Sequence, residues 1–290
     1  MYETKMKHYR RNDMKEYKDI VYKKLETRNL YLDIFLPEDE NPPLIMWIHG
    51  GGWKELNRTW NLAMPLLNKG YAVAAVDYRY CDEGKFPTQM FDLKDALLYL
   101  RNNADKYGYD AGKIAAAGDS AGAHLATMLG VSCGNKSWET AEGDYSLQAV
   151  IDMCAPTDLQ KTFADNQEEQ NNPVDELLGA KAASKTGLSL AAAASPQTYI
   201  NGSEPPFIIL HGSEDPVVSA EHSRHLRNAL ENAGVPVMMY LIPGAVHAFG
   251  GKLVIEIISE FLDYYLKGIK TVETPEVKKC HCREIPYVNV

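Results

Sequence analysis

The sequence contains no hydrophobic run long enough to cross a membrane. A bilayer-spanning helix needs about 20 consecutive apolar residues, whereas the longest apolar runs here, such as 44–48 and 207–210, have the length of a β-strand. The basic residues at the N-terminus are not followed by the apolar segment of about 7–15 residues that a secretory signal contains. We therefore expect a cytoplasmic protein with no membrane partner, unless a signal segment has been removed.

Positive charge is also in short supply. The chain has 30 lysine and arginine residues against 39 aspartate and glutamate residues, a net charge of −9. Proteins that bind the phosphates of nucleic acids usually present a basic surface, so we expect no nucleic-acid partner. Residues 1–28 alone are basic, with nine lysines and arginines against five acidic residues. We interpret them as a solvated first segment, with a basic arm as the alternative.

Cysteine is too scarce and too irregularly spaced for a disulfide framework. The five cysteines are Cys81, Cys133, Cys154, Cys280 and Cys282. The motif Cys280-His281-Cys282 resembles half of a zinc site. Zinc takes four protein ligands, or three and a water molecule, and the sequence offers no second cluster. We therefore predict no metal and treat residues 270–290 as an inert tail.

The 290 residues have an ordinary globular composition, with 45% hydrophobic and 24% charged residues. Strand-like and helical patterns alternate from about residue 29 to 267, which is typical of an α/β fold with helices on both faces of a mostly parallel sheet. Strands are predicted at 29–36, 44–48, 71–76, 113–117, 149–155, 207–210 and 237–242, and helices at 90–103, 121–129, 220–233 and 252–266. The short connections predict a single domain over residues 1–290.

One long segment interrupts this alternation. Residues 158–200 are first polar and then rich in alanine, with no clear strand pattern. We predict that they form an insertion, mostly helical. Insertions of this length within a compact domain often contact the substrate.

The segment Gly118-Asp119-Ser120-Ala121-Gly122 is the strongest functional signal. It follows a predicted buried strand and opens a predicted helix, as the G-x-S-x-G nucleophile elbow requires. Glycines on either side of the serine allow a tight turn and a close approach of helix and strand. Ser120 is therefore the candidate nucleophile, the Ala121 N–H a candidate oxyanion donor, and Asp119 a residue that braces the turn.

A second glycine-rich segment, His49-Gly50-Gly51-Gly52-Trp53, follows the predicted strand 44–48. By itself it could be a flexible turn. Beside a nucleophile elbow on the same sheet, its backbone N–H groups are placed to stabilise the negative charge that develops on a carbonyl oxygen during acyl transfer. We therefore predict that it forms an oxyanion hole.

A nucleophilic serine needs a base to remove its proton. In this kind of fold an acid and then a histidine follow the serine along the chain. Asp215 and His247 come just after the predicted strands 207–210 and 237–242, where open α/β sheets bind ligands. Glu214 is the alternative acid; the turn at Pro216 favours Asp215.

Taken together, the HGGGW, GDSAG and HGSEDP segments and the late histidine resemble α/β-hydrolase serine esterases of the hormone-sensitive-lipase type. The resemblance covers about residues 29–267 and is strongest to small bacterial acetyl and feruloyl esterases related to xylan breakdown. It implies an eight-stranded, mostly parallel sheet, no metal and no organic cofactor. It also implies oxyanion donors at Gly51, Gly52 and Ala121, and a small cap built from residues 1–28 and 158–200.

The resemblance implies a Ser120–His247–Asp215 catalytic triad and an acyl-enzyme intermediate. We expect a small-molecule ester substrate with a short acyl group, acetyl first, on a plant glycan fragment or a xenobiotic. Trp53, Tyr78 and Phe249 border the motifs; they either contact the substrate or pack in the core. The alternatives are a hydrolase of N-formyl amides resembling arylformamidases, and a non-catalytic binding protein of the same fold. Strand 237–242 or the last helix could form a homodimer interface.

Overall fold

The computed structural model describes residues 14–133, 136–161, 172–180, 184–269 and 283–284. They form one sheet in the order β1-β2-β4-β3-β5-β6-β7-β8-β9. The strands are β1 (Lys15–Lys24), β2 (Asn29–Leu36), β3 (Pro43–Ile48), β4 (Ala72–Val76), β5 (Asp110–Asp119), β6 (Ala149–Met153), β7 (Phe207–Gly212), β8 (Val237–Ile242) and β9 (Arg283–Glu284). Strand β2 pairs antiparallel with β1 and β4, and every other pair is parallel. The predicted α/β fold is confirmed, with a two-residue ninth strand added to the expected eight.

Seven α-helices lie in the described residues. They are α1 (Thr88–Asn102), α2 (Ala104–Tyr107), α3 (Ala121–Val131), α4 (Pro173–Leu178), α5 (Lys185–Ala193), α6 (Glu221–Asn232) and α7 (Lys252–Lys267). Short 3₁₀ helices span Met64–Lys69, Lys136–Trp138 and Pro196–Thr198. Among the described helices, none combines the length and the apolar character that a bilayer crossing requires.

Helices cover both faces of the sheet because successive side chains of a strand point to opposite sides. In β3, Leu44, Met46 and Ile48 belong to one buried cluster, shared with α1, α3 and α6. Ile45 and Trp47 belong to the other, shared with α7 and the Met64–Lys69 turn. The continuous apolar run of β3 therefore reflects burial on both faces.

The prediction for the N-terminal segment needs one correction. Residues 15–24 form an edge strand, β1, rather than part of a cap. Tyr17, Ile20 and Tyr22 pack against the core, while lysines occupy exposed positions, as is common on edge strands that must avoid pairing with other chains. Residues 1–13 and the Cys280-His281-Cys282 motif lie outside the described residues.

Candidate active site

Ser120 occupies the sharp turn between β5 and α3. Its φ of 51° and ψ of −122° lie in a region that serine rarely adopts. The turn depends on two glycines: a Cβ atom at Gly118 would lie 2.4 Å from the carbonyl carbon of Gly122, and one at Gly122 would lie 2.1 Å from the Ile48 oxygen. The elbow thus packs directly against the end of β3 and presents Ser120 at the carboxyl edge of the sheet.

The structure brings the three predicted residues Ser120, His247 and Asp215 into one hydrogen-bonded chain. His247 Nε2 lies 2.9 Å from Ser120 Oγ, and His247 Nδ1 lies 2.7 Å from Asp215 Oδ2. Asp215 follows β7 and His247 follows β8, as the sequence indicates. With the proton on Nδ1, the imidazole donates to the carboxylate, and its free Nε2 accepts the serine proton.

Asp215 is held as a carboxylate. Burial by itself raises its pKa, but hydrogen bonds from His211, His247 and the Val218 and Val217 N–H groups lower the pKa well below its ordinary value. Its side chain is only 1% exposed, so few water molecules screen these interactions. The alternative acid, Glu214, is exposed to solvent.

The glycine loop after β3 supplies unengaged backbone donors. Among the described residues, no acceptor is found for the N–H groups of Gly51, Gly52 and Ala121. Gly51 has a φ of 97°, and a Cβ atom there would lie 2.1 Å from the Glu55 oxygen. At Gly52, with a φ of 57°, the nearest atom to such a Cβ is in Pro173, at 3.7 Å. The loop conformation therefore requires glycine most strictly at Gly51.

Asp119 joins the glycine loop to the elbow. Its Oδ1 accepts the Gly50 N–H at 3.0 Å, and its Oδ2 accepts the Trp60 indole N–H at 3.0 Å. Burial raises the pKa of Asp119, and these two hydrogen bonds oppose that rise. The bracing role predicted for Asp119 matches these contacts. Sequence reasoning missed Trp60, which lies in a polar loop outside every motif and is 37% exposed.

Two of the three aromatic residues that border the motifs pack in the core, so the substrate-contact alternative holds for neither of them. Trp53 is 2% exposed and donates its indole N–H to His124, and Tyr78 is fully buried, stacked on His49. Tyr78 donates its hydroxyl to the His49 carbonyl oxygen at 3.0 Å. These rings pack behind the loop and fix its position. Phe249 is half-buried, so its contact with substrate stays a prediction.

The insertion reaches the glycine loop. Glu176 in α4 accepts a hydrogen bond from Lys54 at 2.9 Å, and Pro173 packs beside Gly52. The Phe86 N–H donates to the Leu177 carbonyl oxygen at 2.9 Å. One wall next to the predicted oxyanion hole is therefore built from the insertion.

A polar cleft of about 730 Å³ opens at the carboxyl end of β4, next to the residues that follow the glycine loop. Its lining includes Arg28, Tyr31, Asn57, Arg58, Thr59 and Tyr80. Arg28 pairs with Glu83 at 2.5 Å and Arg58 with Asp77 at 2.9 Å. The cleft thus presents hydroxyl, amide and guanidinium groups without a large net charge.

One buried thiol lies behind the hydrogen-bonded chain. Cys154 directly follows β6, with a φ of 53°, and is fully buried. Burial raises the pKa of this thiol to about 12. It is therefore protonated at neutral pH and is not a nucleophile there.

The chain matches the family model BD-FAE over residues 32–230. It is 31% identical over 261 residues to the esterase LipQ of Mycobacterium tuberculosis, covering 84% of this chain and 61% of that protein. The chain spans 56–61% of the length of this esterase and of two further mycobacterial relatives, LipC and LipM.

Two solved structures share the fold. A truncated carbohydrate esterase from gut microbiota superposes with a TM-score of 0.77 at 28% identity, over 87% of this chain and 96% of that chain. The propionate-bound esterase 2 of Thermogutta terrifontis superposes with a TM-score of 0.67 at 26% identity, over 87% of this chain and 94% of that chain.

Proposed function

Since this chain belongs to the BD-FAE family of hormone-sensitive-lipase-like α/β hydrolases, we propose that it is a serine carboxylesterase. The observation that carries the proposal is the hydrogen-bonded chain from Ser120 through His247 to Asp215. It ends beside backbone N–H groups that have no acceptor in the described residues. Nucleophile, base, orienting acid and oxyanion donors are the complete set that acyl transfer by serine needs.

In the first half-reaction, Ser120 Oγ attacks the ester carbonyl carbon while His247 Nε2 takes the hydroxyl proton. Asp215 stabilises the imidazolium that forms and keeps Nδ1 as the donor. The carbonyl oxygen becomes an oxyanion, which the N–H groups of Gly51, Gly52 and Ala121 stabilise. As the carbon–oxygen bond to the alcohol breaks, His247 returns the proton to the leaving oxygen.

In the second half-reaction, water takes the place of the alcohol. His247 Nε2 removes a proton from water as the hydroxide attacks the acyl-enzyme carbonyl. The oxyanion forms in the same hole, and its collapse breaks the bond to Ser120 Oγ, which regains its proton from His247. The carboxylic acid leaves and the resting hydrogen-bonded chain is restored.

We further propose short acyl groups, acetyl first, on a glycan-type alcohol. The hydroxyl, amide and guanidinium groups of the cleft, which lies next to the residues that follow the glycine loop, suit a polyhydroxylated alcohol. The two solved relatives support the same class, since one is a carbohydrate esterase and the other holds propionate.

The test is hydrolysis of p-nitrophenyl acetate, butyrate and octanoate by the wild type and by Ser120→Ala. We expect the highest kcat/KM on acetate, and a loss of kcat by about 10⁴-fold or more in the variant, because nucleophile and base act as one unit. Activity that survives Ser120→Ala would overturn the mechanism. A maximum at octanoate would overturn only the choice of acyl group.

A further inference from the structure

Three strands that lie side by side in the sheet are each followed by a residue with a metal-binding side chain. Cys154 directly follows β6, whereas Asp215 lies three residues beyond the end of β7 and His247 five residues beyond the end of β8. One possible ligand atom from each of the three residues lies within 4.8 Å of the other two. Parallel pairing brings the three strand ends to one edge of the sheet, and the loops that follow place the three side chains together. The proposed esterase mechanism uses two of its members and leaves the thiol without a role.

A thiolate, an imidazole and a carboxylate are a typical ligand set for Zn²⁺. Tetrahedral zinc, with bonds of about 2.0–2.3 Å, keeps its ligand atoms about 3.3–3.7 Å apart. His247 Nδ1 and Asp215 Oδ2 are 2.7 Å apart because they share a proton. An ion that replaces this proton therefore needs the two atoms to separate by about 0.6 Å or more. The side chain of His247 is 17% exposed and that of Asp215 is 1% exposed. An ion therefore enters from the histidine side of the pair.

We propose that Cys154, Asp215 and His247 form an inhibitory site for Zn²⁺ and for other thiophilic divalent cations such as Cd²⁺. The ion bonds to Cys154 Sγ, to an Asp215 oxygen and to His247 Nδ1, with water in the fourth position. The inhibition rests on the proposed esterase function, whereas the binding of the ion does not.

Coordination removes the catalytic base. The thiol proton passes to solvent as the sulfur–metal bond forms. The imidazole proton leaves Nδ1 through solvent and is regained at Nε2, so one proton is released for each ion bound. An Nε2 that carries a proton cannot accept the proton of Ser120. The carboxylate, now a metal ligand, no longer orients the imidazole.

The inhibition experiment measures p-nitrophenyl acetate hydrolysis at increasing buffered free Zn²⁺, with and without EDTA. The wild type should be inhibited reversibly. Cys154→Ala should keep its basal rate and need at least about tenfold more Zn²⁺ for half-inhibition, because even loss of a second-shell partner costs about 10–100-fold in metal affinity. Cys133→Ala, at another free cysteine of the described chain, is the matched control and should behave like the wild type.

A second measurement does not need activity. Cd²⁺ bound to a thiolate gives a charge-transfer absorption in the ultraviolet, which should appear in the wild type, in Cys133→Ala and in Ser120→Ala, and be reduced in Cys154→Ala. A Cys280→Ser/Cys282→Ser variant removes any contribution from the tail. Equal Zn²⁺ inhibition of Cys154→Ala and wild type, or equal Cd²⁺ absorption, would overturn the site. Binding without any hydrolysis by the wild type would overturn the esterase proposal alone.

Discussion

The last two glycines of the HGGGW segment, Gly51 and Gly52, should respond very differently to the same substitution. In Gly51→Ala the new Cβ would lie 2.1 Å from the Glu55 oxygen and 2.6 Å from its carbonyl carbon, at a φ of 97°. No side-chain rotation relieves contacts with backbone atoms, so the loop must move. In Gly52→Ala the new Cβ has space, with Pro173 at 3.7 Å, and the φ of 57° lies in the left-handed helical region.

The expected magnitudes follow from these two geometries. A residue with a Cβ in the left-handed helical region costs about 1–2 kcal/mol, so Gly52→Ala should lower the free energy of unfolding by that amount and kcat by less than about tenfold. Gly51→Ala should displace the donor itself. Loss of one oxyanion donor typically lowers kcat by about 10²–10³-fold, and we expect a loss in that range.

The assay is kcat and KM for p-nitrophenyl acetate, with urea unfolding of both variants to separate misfolding from loss of the donor. KM should change little in Gly51→Ala, because the donor acts on the charge that develops after binding. If Gly51→Ala keeps wild-type kcat, or if the two variants lose the same activity, the assignment of the oxyanion loop is wrong.

The remaining predictions concern the acid and the residues around the elbow. Asp215→Asn should lower kcat by about 10⁴-fold, because the amide favours the wrong imidazole tautomer. Glu214→Gln, at an exposed neighbour, should keep a kcat close to that of the wild type. Equal losses of kcat in the two variants would show that Asp215 is not the acid. The lowered pKa of Asp215 stabilises the fold above the ordinary carboxyl pKa of about 3.9, and this contribution is lost as pH falls below that value. The urea midpoint of the wild type should therefore fall more between pH 5 and 3 than that of Asp215→Asn, and parallel curves would contradict the pKa direction. Trp60→Phe removes a donor to buried Asp119 and should lower the free energy of unfolding by about 1.5–3 kcal/mol; a stability equal to wild type would show that this hydrogen bond contributes nothing.

Much of the fold was predictable because burial on both faces leaves strong sequence patterns. Strand Pro43–Ile48 was located to within one residue, since it is buried on both faces and is therefore apolar throughout. Strand β1 was missed for the opposite reason. As an edge strand it exposes Lys15, Lys18 and Lys24, and its inward residues are interrupted by register irregularities, so the alternating pattern is lost.

In the candidate site, too, some features were predictable from the sequence and others were not. Ser120, Asp215 and His247 were predictable because each follows a strand whose end the sequence marks. The directions of the aromatic side chains near the motifs were not predictable. A ring beside a motif either faces the substrate or supports the loop, and only the packing of the folded chain decides between these. Tyr78 stacks on His49, and Trp60 reaches Asp119 across 59 positions of sequence; neither contact leaves a local pattern.

In the proposed mechanism, Ser120 is a nucleophile that His247 activates. The most direct measurement is labelling with a fluorophosphonate, followed by mass spectrometry of the peptides. We predict a single adduct, on Ser120, that forms at least about 10³-fold more slowly in His247→Ala, because removal of one member disables the unit. An adduct on another residue, or no adduct with the folded wild type, would contradict the proposed mechanism.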